Sequence, residues 1–158
     1  MNLINVIQCA ELGGMEKVTV RLLRALKPRG VQSELVSLNK IGKLRGLLED
    51  ADIPHKGIGY SGPLGVLTAI RLRREILDSE DKDVLLMTGH HIASMLLLPR
   101  SKFRNRFLSI HFHHRGEKPD WFWRLTYTIA NWKFDRIFFA SDFIRQEAEE
   151  IAAATAAE

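Results

Sequence analysis

The sequence predicts an α/β fold, a doubly wound parallel sheet of about six strands with helices on both faces. Short apolar runs alternate with amphipathic segments of helical period along the whole chain. Such alternation produces right-handed crossovers and therefore a Rossmann-like parallel sheet. The length of 158 residues suits a single domain that spans residues 1–158.

The elements follow from local signals along the chain. The strands are predicted at 3–9, 31–38, 53–58, 83–87, 106–112 and 134–140. Pro54 places the third strand near an edge of the sheet, because proline has no N–H to donate. The helices are predicted at 15–26, 41–51, 64–77, 92–98, 121–132 and 141–154. Pro28 and Gly30 end the first helix, and Ser141 caps the last.

Composition excludes several classes of protein. Hydrophobic residues make up 46% of the chain and charged residues 27%, which is typical of a soluble domain. No apolar run reaches the about 20 residues of a membrane span, and residues 1–10 do not form a signal peptide. The single cysteine, Cys9, allows no internal disulfide and is interpreted as a core residue of the first strand. We therefore expect a cytoplasmic protein.

The net charge of +4 is mildly basic and is concentrated in two clusters. The members are Arg71, Arg73 and Arg74, and then Arg100, Lys102, Arg104 and Arg106. The second cluster contains no acid. Either cluster could meet anionic lipid or phosphate, or could simply be a solvated face. Nucleic-acid binding is not predicted, because no recognition motif accompanies the charge.

Two adjacent glycines, Gly13 and Gly14, separate the first strand from the first helix. Glycines there allow another molecule to approach the backbone, where the free N–H groups and the helix dipole favour negative charge. Glu16 and Lys17 follow at once, so the spacing is not the dinucleotide fingerprint. The alternative is an ordinary tight turn.

Histidines follow two other strands at their carboxyl ends, where open α/β sheets bind ligands. His90 and His91 follow the fourth strand, and His111, His113 and Arg115 end the fifth. Imidazoles can hydrogen-bond a sugar hydroxyl or a phosphate. Histidines packed near the surface are one alternative, and a metal site at His111 and His113 is another. Because no aspartate lies within HFHHRG, we predict no metal.

Five motifs occur in one order along the chain and together carry a family resemblance. They are GGMEK at 13–17, LLRAL at 22–26, DVLL at 83–86, SIH at 109–111 and FDRI with AS at 134–141. This set resembles the N-terminal domain of a family four glycosyltransferase of the GT-B fold, which retains the configuration of the anomeric carbon.

The resemblance implies a hexosyltransferase that uses a nucleotide sugar as substrate and no cofactor. The acceptor would be a glycan or a lipid-linked sugar of polysaccharide or lipopolysaccharide biosynthesis. His111 would be the catalytic residue that contacts the donor sugar. Gly13 and Gly14 would lie near the donor phosphates or the acceptor, with Glu16 orienting the loop. The other predicted substrate- or phosphate-binding residues are Lys17, His90, His91, His113 and Arg115.

The resemblance also implies a missing partner, the C-terminal domain that binds most of the nucleotide sugar and carries an E-x7-E motif. The chain alone is therefore expected to be inactive. Two other functions stay open, a non-catalytic anion-binding module of flavodoxin type and a metal-dependent hydrolase.

An aromatic segment, Trp121 to Trp123, adds a candidate membrane contact. Its apolar rings lie next to basic residues, namely Arg115, Lys118 and Arg124. They could form a lipid-interface patch at the inner face of the membrane, or they could fill the core.

Overall fold

A computed structural model of the protein describes residues 1–59, 65–78, 82–111 and 118–156. Its six strands form one sheet in the order β3-β2-β1-β4-β5-β6, and every neighbouring pair is parallel. The predicted α/β fold and the edge position of the third strand are confirmed. The strands are β1 (Asn2–Ile7), β2 (Gln32–Ser37), β3 (His55–Gly57), β4 (Val84–Thr88), β5 (Asn105–Ile110) and β6 (Arg136–Phe139).

A helix follows each strand. The helices are α1 (Gly14–Leu26), α2 (Arg45–Asp50), α3 (Val66–Asp78), α4 (Ile92–Leu97), α5 (Asp120–Lys133) and α6 (Asp142–Ala156). A left-handed Gly30 ends the turn after α1, and the Ser141 hydroxyl caps α6 by accepting from the Ile144 amide, as predicted. Within the ranges that the structure describes, no helix has the length and apolar composition needed to cross a bilayer.

The sheet separates two hydrophobic layers, because alternate residues of each strand face opposite sides. Leu3 and Ile7 of β1 pack with α1 and α2 on one side. Ile4 and Val6 pack with α3, α4, α5 and α6 on the other side. Right-handed crossovers explain this division, since the chain moves from β1 outward to β3 and then from β4 outward to β6.

The layer with α1 does not cover the whole sheet. Between α1 and the outer strands β5 and β6 lies an apolar groove of about 560 Å³. Leu86, Phe107 and Phe138 form its floor, and Leu22 of α1 is one wall. Phe138 is 48% exposed although it belongs to a strand. Among the described residues, the groove is therefore apolar surface without a helix over it.

A buried amide joins the two central strands. The Asn5 side chain on β1 is fully buried and donates to the Leu86 carbonyl at 3.1 Å and to the Thr88 hydroxyl at 3.4 Å on β4. Its Oδ1 has no hydrogen-bond partner within the described part of the chain. A buried polar group that is only partly satisfied costs stability, so it depends closely on the partners it has.

Two expectations about element bounds were wrong. Strand β1 ends at Ile7, so Cys9 lies beyond it in a loop and is half-buried rather than a core residue. Helix α2 begins at Arg45 rather than at residue 41, because the Gly42 and Leu44 amides both donate to the Ala10 carbonyl. That contact holds the loop before α2 against the end of β1.

The second basic cluster is not free of acids in space. Asp135, which lies just before β6, accepts from the Arg106 backbone amide at 2.7 Å and from its guanidinium at 2.5 and 3.2 Å. These hydrogen bonds to the Arg106 guanidinium lower the pKa of Asp135, and the Arg106 side-chain hydrogen bond is the largest cause. Arg106 is therefore mostly neutralised and is not available for an anionic ligand.

In the aromatic segment, one tryptophan packs in the core and another is exposed. Trp123 is fully buried, with Tyr127 and Ala148 beside it, whereas Trp121 is 65% exposed. Helical geometry explains the difference, because residues two apart on a helix point in different directions.

We predict that Trp123→Ala lowers the free energy of unfolding by about 3–5 kcal/mol, because it empties a buried site. Trp121→Ala is the matched control and should change it by less than about 0.5 kcal/mol. Urea denaturation followed by circular dichroism measures both. Equal losses in the two variants would contradict the assigned burial.

Candidate functional site

The carboxyl ends of β1, β4 and β5 lie next to one another at one edge of the sheet. Between β1 and β4 the strand order reverses, and loops leaving neighbouring strands in opposite directions open a crevice there. The candidate residues come from these loops. The turn with Gly13 and Gly14 follows β1, His90 and His91 follow β4, and His111 follows β5.

The two glycines of the turn have different roles. Gly13 precedes α1 with extended backbone, and neither glycine is left-handed. A Cβ atom at Gly13 would collide with the Glu16 carboxylate, whereas one at Gly14 would meet no atom of the described residues within 4 Å. Gly13 therefore makes room for Glu16, and Gly14 leaves the first turn of α1 open from outside. Neither glycine is therefore required for a backbone conformation that other residues avoid.

Glu16 is the buried acid of the site. Its side chain folds back against the amino end of α1, and the Cys9 thiol donates to its Oε1 over 3.3 Å. Burial, followed by the hydrogen bond and charge of Glu16, raises the pKa of Cys9, so the thiol stays protonated. The carboxylate thus occupies the positive end of the helix dipole itself.

His111 lies at the same edge, half-buried after β5. Its Nε2 is 2.8 Å from the Ser109 hydroxyl, two residues back on the same strand face. Burial lowers the pKa of His111, and the negative charge of Glu16 acts in the opposite direction. The two groups are thus close enough to interact, and the imidazole is neutral at pH 7.

The two histidines after β4 make structural contacts. The His90 ring packs edge-on against Phe122 and Trp123 of α5, with centroids 5.7 and 5.0 Å away. His91 caps α4, since its Nδ1 accepts from the Ser94 amide at 3.2 Å. Burial lowers the pKa of His91. Their predicted binding role stays a prediction.

The remaining predicted residues divide by position. Lys17 is exposed on the first turn of α1. His113 and Arg115 lie outside the described residues. In the part of the chain that the structure describes, no three His, Cys, Asp or Glu side chains converge as a metal site requires.

Sequence reasoning missed polar residues at the end of the groove that lies by the carboxyl ends of the strands. Thr19 of α1, Thr88 of β4 and Ser109 of β5 line it together with His111. The signal was present in the strands, because Thr88 and Ser109 are register partners on β4 and β5. Period-two alternation places Ser109 on the same strand face as His111.

We predict that Glu16→Gln lowers the pKa of His111 further, because it removes the negative charge that favours the imidazolium. Gly13→Ala should act in the same direction by displacing that carboxylate, and Gly14→Ala is the matched control without effect. NMR titration of the histidine ring protons measures each pKa. The proposed geometry is contradicted if Gly13→Ala and Gly14→Ala behave alike.

We further predict that the free energy of unfolding falls as the pH drops from about 7.5 to about 5. His91 and His111 have folded-state pKa values below the ordinary 6.5. The unfolded chain therefore binds more protons in this window, which favours unfolding. Urea denaturation at both pH values should show a smaller loss for His91→Asn combined with His111→Gln. Asparagine keeps a capping acceptor for α4. If the double variant loses as much unfolding free energy between the two pH values as the unchanged chain, groups other than these two histidines cause the loss.

Three solved structures resemble the fold. The chain matches Anabaena Alr3699/HepE, solved in complex with UDP-glucose, with a TM-score of 0.71 and 16% identity over 96% of this chain and 40% of that one. A glycosyltransferase from Rickettsia africae ESF-5 matches with a TM-score of 0.67 and 18% identity over 92% of this chain and 38% of that one. A UDP-N-acetylglucosamine 2-epimerase from Listeria monocytogenes, described as putative, matches with a TM-score of 0.63 and 16% identity over 99% of this chain and 42% of that one.

At these identities the three structures establish the shared fold alone, and the chain spans about two fifths of the length of each. No curated protein sequence matches the chain. The model of one protein family, however, matches residues 12–155, which is most of the sequence. The resemblance seen in the ordered motifs is thereby confirmed, and the chain belongs to Glycosyltransferase Family 4.

Proposed function

We propose that the chain is the acceptor-side domain of a retaining hexosyltransferase that takes a sugar from a nucleotide-sugar donor. The acceptor is a glycan or lipid-linked sugar of polysaccharide or lipopolysaccharide synthesis at the cytoplasmic face of the membrane. The observation that carries the proposal is that Glu16, in the first turn of α1 after β1, and His111, after β5, lie at the same carboxyl edge of the sheet. A similar fold, HepE, is solved with UDP-glucose, which supports a nucleotide-sugar donor.

The charges favour a sugar hydroxyl rather than a phosphate beside Gly13. Glu16 already places a negative charge at the amino end of α1, and a phosphate there would be repelled. A hydroxyl can instead donate to that carboxylate. For the same reason we do not favour the anion-binding module, which would need this position for its ligand.

His111 suits contact with the sugar. Its Nε2 faces Ser109, which fixes the ring, and Nδ1, for which the described residues offer no hydrogen bond, can bond a hydroxyl. A neutral ring can do so at pH 7 without binding the nucleotide phosphates too tightly. In the transfer, the bond from the anomeric carbon to the phosphate oxygen breaks and a bond to the acceptor oxygen forms. The acceptor proton leaves with the nucleotide phosphate.

A second domain would hold the nucleotide. The chain covers 38–42% of the three similar structures, so most of each lies outside the match. The open apolar groove beside α1 supports the proposal, because Leu22 and Phe138 both line it and are exposed, and a partner that covers them removes apolar surface from water. This second domain is therefore proposed as the partner that completes both the crevice and the core.

We predict no sugar transfer by the isolated chain with a panel of nucleotide sugars, and transfer when the nucleotide-binding domain is added. In that reconstituted enzyme, His111→Ala should lower kcat/KM about 10- to 1,000-fold. His55→Ala, at the opposite end of the strands, is the matched control. Clear turnover by the chain alone would refute the need for a second domain. Full activity of His111→Ala would refute the role of that residue.

A further inference from the structure

One face of α5 is an exposed apolar stripe. Trp121, Leu125 and Trp132 are 65%, 43% and 56% exposed. Together with Thr128 they follow the spacing of one helix face, at positions i, i+4, i+7 and i+11. The Thr128 hydroxyl donates to the Arg124 carbonyl at 2.9 Å, so its polar atom is already satisfied by the helix backbone. The stripe therefore runs along the whole helix without a charged side chain.

A basic patch lies at the carboxyl end of this stripe. The helices α3, α4 and α5 pack side by side and run opposite to the strands, so their carboxyl ends share one edge of the molecule. Arg73 of α3 donates to the Leu97 carbonyl at the end of α4, at 2.9 Å. Arg100 follows α4, and Lys133 is the last residue of α5. The patch thus joins the two basic clusters of the sequence in space.

The patch is strongly positive. Arg73, Arg100 and Arg106 all lie near enough to lower the pKa of Lys133, after burial as the largest cause. Asp135 compensates one of these charges through its fork with Arg106. Like charges held this close repel one another, so a negative surface brought up to them would relieve the repulsion.

The stripe and the patch touch. The Lys133 ammonium lies 4.3 Å from the centre of the Trp132 ring. Helix dipoles explain why basic residues gather at helix ends, but they do not explain two exposed tryptophans and a leucine beside them. Tryptophan prefers the boundary between lipid headgroups and acyl chains, and lysine and arginine are attracted to anionic headgroups.

We propose that the apolar stripe of α5 and the adjoining basic patch form a docking surface for membranes that contain anionic phospholipid. This surface deepens the proposed function, on which it rests for the lipid-linked acceptor. The amino end of α5 contacts His90 at the candidate site through Phe122 and Trp123. Docking along α5 would therefore bring the crevice to the bilayer surface, where such an acceptor is held.

Flotation with vesicles tests the surface. The chain should float with phosphatidylcholine vesicles that contain about 30% phosphatidylglycerol, and should stay behind with phosphatidylcholine alone. Binding should fall in about 0.5 M salt, because screening weakens the charge term. Trp121→Ser with Trp132→Ser, and Arg100→Gln with Lys133→Gln, should each reduce binding about tenfold or more.

Matched controls lie on the other side of the sheet. Arg21→Gln with Arg24→Gln on α1 removes two exposed charges, and Leu47→Ser on α2 removes an exposed leucine. Both should bind as the unchanged chain does. Lipids brominated on the acyl chains should quench the fluorescence of Trp121 and Trp132 and spare the buried Trp123, with single Trp→Phe variants separating the signals.

Several results would overturn the docking surface. They are absence of flotation, equal binding by the stripe variants and the controls, and preference for a DNA duplex over the vesicles. Self-association that the two Trp→Ser changes abolish would assign the stripe to a second copy of the chain instead. None of these results bears on sugar transfer to a water-soluble acceptor by the completed enzyme. A failure of docking is therefore distinguishable from a failure of the transferase proposal.

Discussion

The pairing of β1 with β2 on one side and β4 on the other is the constraint on which the rest of the structure depends. Because β1 is central, the chain must proceed outward in both directions, and right-handed crossovers then place α1 and α2 on one face and α3 to α6 on the other. The same pairing opens the crevice between the loops after β1 and β4. Glu16 and His111 therefore lie at the same edge of the sheet although they are far apart in the chain.

Most of the fold could be predicted from the sequence, since its signals are local. Apolar runs gave the strands, and the Ser141 cap and Gly30 gave two helix ends. The errors arose where distant contacts decide. The bounds of α2 depend on amides that donate to the Ala10 carbonyl, and the neutralisation of Arg106 depends on Asp135, which lies just before β6. Neither contact has a signature in nearby residues.

The candidate site was predictable in its location and less so in its chemistry. The ends of strands and the paired glycines pointed to one edge, and His111 does lie there with the turn. The reason for Gly13 was not predictable, because it depends on how the Glu16 side chain folds back. The capping by His91 and the aromatic packing of His90 likewise depend on how α4 and α5 are placed. Side-chain direction is a tertiary property that spacing alone does not determine.

The two outer surfaces of the sheet differ in kind. The groove beside α1 is concave, apolar and continuous with the polar residues of the crevice. The surface of α5 is convex, with tryptophans beside cations. A concave apolar surface suits another protein segment. A convex surface with both aromatic and basic side chains suits a membrane with anionic headgroups. The two contacts that we propose, with a partner domain and with a bilayer, therefore use different sides of the domain.

The amide of Asn5 has a consequence for the crevice. It ties β1 to β4 through the Leu86 carbonyl and the Thr88 hydroxyl, and a slip of either strand would leave its buried donor without a partner. The spacing of the two loops that bound the crevice is therefore set before any ligand arrives. The sugar that we propose as ligand would therefore spend little of its binding free energy on assembling the pocket, and specificity would depend on the hydroxyl pattern that this fixed gap accepts.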